Sequence, residues 1–170
     1  MSDNLTLEQA LQLWRDTEEV KNLKAEYCYL ADGIPSLDVN KPRQIDCDQF
    51  ANLFAEDAVF YTSAGEVVEG KDRIREHCRS FQVFPLALHI IATPQIKVDG
   101  DKAVGKWHGI VPLITAVDKV AALMVVRYED HFVRTKDGWK IKSIKSERYF
   151  SSPLDQGWAK VRFMAAEGRD

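Results

Sequence analysis

The second half of the chain constrains the fold most. From Leu86 onward four long β-rich runs follow one another: LALHIIATPQIKV (86–98), KAVGKWHGIVPLIT (102–115), VAALMVVRYEDHFVRT (120–135) and GWKIKSIKSERYF (138–150). They are separated by DGD at 99–101, AVDK at 116–119 and KDG at 136–138, of which the first and third are hairpin signals. Connections this short cannot house parallel crossovers, so the runs predict an antiparallel meander. Helical patterns precede these strands instead of alternating with them, which gives an α+β class. A strongly curved, mostly antiparallel sheet wrapped around three N-terminal helices makes a cone with an interior pocket.

Leu11, Trp14, Val20, Leu23, Tyr27 and Leu30 recur mostly at helical spacing, and Thr6 with Gln9 forms a capping box, predicting one long helix over about 6–31. The polar stretch GIPSLDVNKPRQ, with two prolines, stops it and opens a loop at 33–45 long enough to be a lid or an insertion. Asp46 and Gln49 repeat the cap before Phe50, Leu53 and Phe54, giving a short second helix that ends by Glu56. AVFYTS and GEVVEG read as strands around an Ala64-Gly65 turn, and KDRIREHCRSF, after Gly70, as a third helix. Residues 151–170 are a C-terminal tail on a single domain spanning 1–170.

Composition narrows the partners. A chain of 170 residues with 45% hydrophobic content and a net charge of −3 suits one globular domain, without the basic patch that nucleic acid requires. The polar start MSDNLTLEQ lacks the pattern of a secretory signal and no run is long enough to span a bilayer, so the expectation is a cytoplasmic protein with no membrane partner. Cys28, Cys47 and Cys78 are an odd number without C-x-x-C spacing, and read as free thiols. No H-x-H or H-E-x-x-H spacing points to a metal, and no cofactor is expected.

The order of elements, together with FANLFAEDAVFY (50–61), EGKDRIREH (69–77), IKVDGDKAVGKW (96–107) and YEDHFVRTKDGWKI (128–141), resembles the SnoaL-like branch of the nuclear transport factor 2 fold over about residues 8–150. The resemblance implies the cone. It also implies an Asp–His pair inside it, as in scytalone dehydratase, hexachlorocyclohexane dehydrochlorinase and bile-acid 7α-dehydratase. The Asp closes the first helix and the His lies on the first long strand, positions that fall on Asp32 of YLADG and His89 of LALHIIATP. Bile-acid 7α-dehydratase adds a tyrosine five residues before the Asp and an arginine near the end of the last strand, which fall on Tyr27 and Arg148. Its further carboxylate falls, by spacing from Trp107, on Val111, a departure, so the resemblance does not carry over a mechanism that needs that second acid.

These residues suit proton transfer. A histidine titrates near neutral pH and makes His89 the candidate base, while a buried carboxylate would fix its tautomer and stabilise the imidazolium. Tyr27 would hydrogen-bond a substrate carbonyl or hydroxyl, and Arg148 would bind a carboxylate or a growing enolate charge. The implied function is a dehydratase-like lyase or an isomerase acting without a cofactor on a hydrophobic, ring-containing small molecule. A polyketide-cyclase-like aldol closure and a non-catalytic role, such as the small subunit of a ring-hydroxylating dioxygenase, are the alternatives. The non-catalytic role requires that Asp32 and His89 do not touch or that no pocket lies beside them.

Each candidate also has a structural reading: Tyr27 as a packing aromatic, Asp32 as a helix-end acceptor, His89 as a core histidine and Arg148 as an edge-strand charge. Phe50, Phe54, Leu88, Trp107, Val111 and Met124 are expected to line the pocket. His108 is held as a further pocket candidate, because alternation puts it opposite Trp107, Gly109 and Val111 without deciding which face is interior. His77 and His131 read as surface or structural residues, and Asp57 and Asp130 as structural ones. Ile110, Leu113, Leu123 and Val125 would make the outer sheet face apolar enough for a homodimer or homotrimer.

Overall fold

The computed structural model describes residues 5–62 and 65–164. Helix α1 runs Leu7–Asp32, with the Thr6–Gln9 capping box formed. It stops at Gly33, whose φ of 60° and ψ of −157° suit glycine alone; a Cβ there would lie 2.2 Å from the Gln44 carbonyl oxygen. The 33–45 loop returns at once, since Ile34 and Gln44 form an isolated antiparallel bridge across its base.

Helix α2 is Cys47–Asn52, capped by Asp46, and strand β1 begins already at Phe54 (Phe54–Tyr61). The second helix is therefore shorter than its pattern suggests: Phe54 to Glu56 belong to the sheet, where Phe54 pairs with Ile141. Strand β2 is Val67–Glu69, and Ala64 of the expected turn lies outside the described residues. Helix α3 (Lys71–Arg79) gives way to a 3-10 turn over Ser80–Val83, so Ser80 and Phe81 leave the α-helix expected to hold them.

The first long strand run divides into β3 (Leu86–Ala87) and β4 (Ile90–Asp99), both paired with β5 (Lys102–Ile114). Proline explains the division. β3 faces Leu113 and Ile114 and β4 starts opposite Ile110, while Pro112 between them has no N–H to donate across the ladder. Its carbonyl accepts from the Leu88 N–H at 3.1 Å. His89 follows in the gap and stands outside both strands.

Strands β6 (Ala121–Thr135) and β7 (Gly138–Pro153) complete the antiparallel meander, with register shifts at Val125/Val126 and His131/Phe132. β1 joins the free edge of β7 in parallel, giving a sheet ordered β2-β1-β7-β6-β5-β3 with β4 also on β5. Its concave face packs on the helices through one core that includes Val20, Leu23, Phe50, Phe54, Trp107, Phe132, Ile141 and Ile144. After β7 the chain folds back, and Ser151 bridges in parallel to Phe163.

Candidate functional site

Asp32 and His89 meet where the end of α1 reaches the gap between β3 and β4. The Asp32 Oδ1 lies 2.5 Å from His89 Nδ1, and both carboxylate oxygens are 3.0 Å from the His89 backbone nitrogen, which donates to them. The N–H that the interrupted ladder leaves unpaired is thus taken by the same carboxylate that holds the ring. Such a contact assigns the Nδ1 proton to the Asp side and leaves Nε2 as the basic nitrogen.

Arg43 locks this corner. Its Nη1 donates to the carbonyls of Asp32 and Ala87, each at 3.1 Å, and its Nε to the carbonyl of Phe81 at 3.1 Å. One side chain from the 33–45 loop therefore ties the end of α1, the 3-10 turn and β3 together. It is only 3% exposed. Burial pushes its guanidinium below the ordinary arginine range, and the Asp32 charge opposes that shift.

A cavity of about 800 Å³ opens beside the pair. Its apolar wall includes Phe60, Phe81, Phe84, Val111, Met124, Val126 and Ile144, and Tyr27, Arg43, His89, Tyr128 and Arg148 bring polar groups to it. Val161 and Met164, from the segment that folds back after β7, line it too. Burial holds the hydroxyls of Tyr27 and Tyr128 well above the usual tyrosine range, so both stay protonated donors. Among the described residues no group of three or more His, Cys, Asp or Glu side chains could hold a metal ion, and no helix is long and apolar enough to cross a membrane.

Residues 12–145 match the SnoaL-like domain family. The chain belongs to that family. Its fold recurs in an NTF2-like protein with a cystatin-like fold from Novosphingobium aromaticivorans (TM-score 0.67, 22% identity, covering 94% of this chain and 96% of that one). It recurs also in hexachlorocyclohexane dehydrochlorinase LinA-type3 from Novosphingobium barchaimii (TM-score 0.73, 13% identity, 92% and 99%). A candidate scytalone dehydratase from Novosphingobium aromaticivorans is similar at TM-score 0.69 and 16% identity, over 92% and 96%. In sequence, an uncharacterized protein of Mycobacterium tuberculosis (strain H37Rv) is 37% identical over 59 residues, 34% of this chain and 40% of that one. The match thus spans less than half of that relative's length.

Within this SnoaL-like cone, Tyr27, His89 and Arg148 line one cavity and Asp32 stands directly behind His89. Of the six apolar residues expected on the wall, Val111 and Met124 are there. Phe50, Phe54 and Trp107 are not: they are buried against other side chains, with Tyr27, Phe50 and Phe54 forming one aromatic cluster. Leu88 is 47% exposed, turned away at the strand break. His108 is a correction as well. Trp107, Gly109 and Val111 occupy the buried face, so His108 points outward, its Nδ1 2.7 Å from Thr93 Oγ1 and its ring stacked on Tyr149.

Leu113 likewise faces the cavity and leaves the outer face. His77 lines the cavity between Phe60 and Phe81, and burial lowers its pKa against the opposing charge of Glu66. His131 is an exposed strand residue 3.7 Å from Glu129. Asp57 pairs with Lys142 at the surface, and Asp130 is buried against Lys24. Arg43 and Tyr128 went unnoticed in the sequence. Arg43 sits in a polar proline-containing loop that reads as solvated, whereas Tyr128 shares the strand phase of Val126, which marks it as inward-facing.

Proposed function

We propose that the chain is a lyase of the dehydratase type or an isomerase, in which His89 abstracts a proton from a hydrophobic, ring-containing small molecule and Asp32 orients and charges it. The observation that carries this reading is the 2.5 Å contact between Asp32 Oδ1 and His89 Nδ1 at the wall of the cavity. A non-catalytic subunit needs no such contact. The dehydrochlorinase and dehydratase names of the structural neighbours support the same class.

The chemistry requires no further acid. His89 Nε2 takes a proton from carbon beside an activating group, and Asp32 stabilises the imidazolium. In a dehydration the C–H electron pair forms the double bond, the β-hydroxyl leaves, and the imidazolium returns its proton to make water. In an isomerisation the proton goes back to a different carbon. Arg148 supplies positive charge to the developing anion, and the apolar wall supplies binding.

Product formation tests the reading. Incubating the protein with a panel of cyclic β-hydroxy ketones should give the conjugated enone, read by ultraviolet absorbance, from at least one member, and His89→Ala should abolish it. Equal turnover by wild type and His89→Ala would remove the dyad from the mechanism.

The outer sheet face supports a homo-oligomer as part of the same proposal. Ile90, Ile110, Val125 and Phe150 stand in register across four successive strands, an apolar row that a second copy would cover.

A further inference from the structure

Helix α1 carries two apolar edges, and its own chain covers one of them. The buried face begins at Asp16, which accepts from Gln12 Nε2 at 3.0 Å and from Trp139 Nε1 at 3.3 Å and pairs with Arg134 at 2.6 Å. It continues through Val20, Leu23 and Tyr27 into the core. Every residue from Leu5 to Arg15 is exposed, so the first turns of α1 stand beyond the body of the protein. Their apolar side chains do not prolong the covered face. At 3.6 residues per turn Leu7, Leu11 and Trp14 fall on one edge, on the side of the helix opposite Asp16, Val20, Leu23 and Tyr27. They are 86%, 43% and 61% exposed.

A helix whose apolar edge faces away from its own core offers that edge to something else. The bordering residues decide what covers it. Glu8 and Arg15 flank the edge on one side and Ala10 and Thr17 on the other, and neither Glu8 nor Arg15 has an ion-pair partner among the described residues. When two copies of this edge pair antiparallel, Leu11 of each packs against Trp14 of the other and Glu8 of each meets Arg15 of the other, while the small Ala10 and Thr17 let the backbones approach. Each contact then occurs twice, as a two-fold axis requires. Parallel pairing sets Arg15 against Ala10 and leaves both charges unmatched. A lipid surface is a poorer fit, because helices that lie on one carry several Lys and Arg on the polar face, and this edge is bordered by Glu8 and the single cation of Arg15.

We infer that the edge formed by Leu7, Leu11 and Trp14 is an antiparallel two-fold contact with a second copy of this chain, its direction set by reciprocal Glu8 and Arg15 pairs. It shares no residue with the outer sheet face and is independent of the catalytic reading. The three apolar side chains supply the attraction. Exposed ion pairs contribute little strength, so the rim charges select antiparallel over parallel pairing. A contact of so few turns is small, and it holds copies together at raised protein concentration.

Sedimentation velocity across a range of protein concentrations tests the contact. At the highest concentrations wild type should sediment at twice the mass of Leu11→Asp, whatever the sheet face does, and circular dichroism should show the same fold in both. Glu8→Arg places two like-charged pairs in the contact, and so does Arg15→Glu, so each should associate at least about tenfold more weakly than wild type. In an equal mixture of these two variants every rim pair is again of opposite sign, and association should return toward wild-type strength. A change in folding or in net charge would not produce that recovery. Equal masses for wild type and Leu11→Asp would overturn the contact, and a mixture as weak as its two components would overturn the antiparallel register. Binding of wild type to phosphatidylglycerol vesicles, read as a fluorescence blue shift absent from Trp14→Phe, together with an unchanged mass in Leu11→Asp, would give the edge to a lipid surface instead.

Discussion

The Asp32 carboxylate holds His89 at two points, the ring at 2.5 Å and the backbone N–H at 3.0 Å. Orientation of the base and closure of the strand gap are therefore one interaction. Asp32→Asn can keep an acceptor for the N–H while mis-setting the ring tautomer, and should cut turnover by on the order of 10³- to 10⁴-fold with little loss of stability. Asp32→Ala removes both contacts and should in addition raise hydrogen exchange at the His89 amide. Steady-state rates and amide exchange measured on both variants separate the two functions.

Arg43 ties three segments through three backbone carbonyls. Arg43→Met orphans those acceptors in a buried corner and should cost about 2–4 kcal/mol, with hydrogen exchange rising across 33–45 and at Ala87. Arg43→Lys should recover only part of this, because one ammonium cannot reproduce the planar fork. Denaturant unfolding of the two variants checks the order.

Gly33 combines a positive φ with contact at the Gln44 carbonyl oxygen. Gly33→Ala must both strain the backbone and push the returning loop away from α1, at a cost of about 2 kcal/mol or more, seen as a Tm lower by roughly 4–8 °C. Gly100→Ala, with an open environment at φ +58°, should cost less.

His77 is lowered by burial, so the folded state prefers its neutral form. Its contribution is fully present above the unfolded-state histidine pKa of about 6.5 and is lost as pH falls from there through the folded value, because the unfolded chain binds the proton first. His77→Phe should flatten this part of the stability curve, measured by chemical denaturation across acidic to neutral pH. A curve with the wild-type slope would show that another group carries it.

Much of this architecture is legible in the chain itself. The capping box at Thr6 and Gln9 and the short turns after β4 and β6 are local chemistry, and they form as their residues dictate. The division of the first long strand depends on Pro112, which removes a donor from the facing strand twenty-odd residues away, a pairing that becomes visible only once the register is known. The cavity wall was harder to read for a different reason. Phe50, Phe54 and Trp107 are as apolar as Val111 and Met124, and nothing in a residue's type says whether it meets another side chain or an open space. His108 shows the limit of alternation: it gives two faces and leaves unnamed the one that turns inward. Arg43 is invisible because its burial depends on three carbonyls contributed by segments far apart in sequence.

The most direct test of the central claim isolates the first step, proton abstraction, from whatever leaves afterwards. Cyclic ketones are incubated with the protein in D₂O and deuterium entry at the carbon beside the carbonyl is followed by NMR, for wild type, Asp32→Asn and His89→Ala. The account predicts enzyme-dependent exchange in wild type for at least one ketone, a large reduction in Asp32→Asn, and only the uncatalysed rate in His89→Ala. Exchange by His89→Ala at the wild-type rate, with the fold intact, would contradict it.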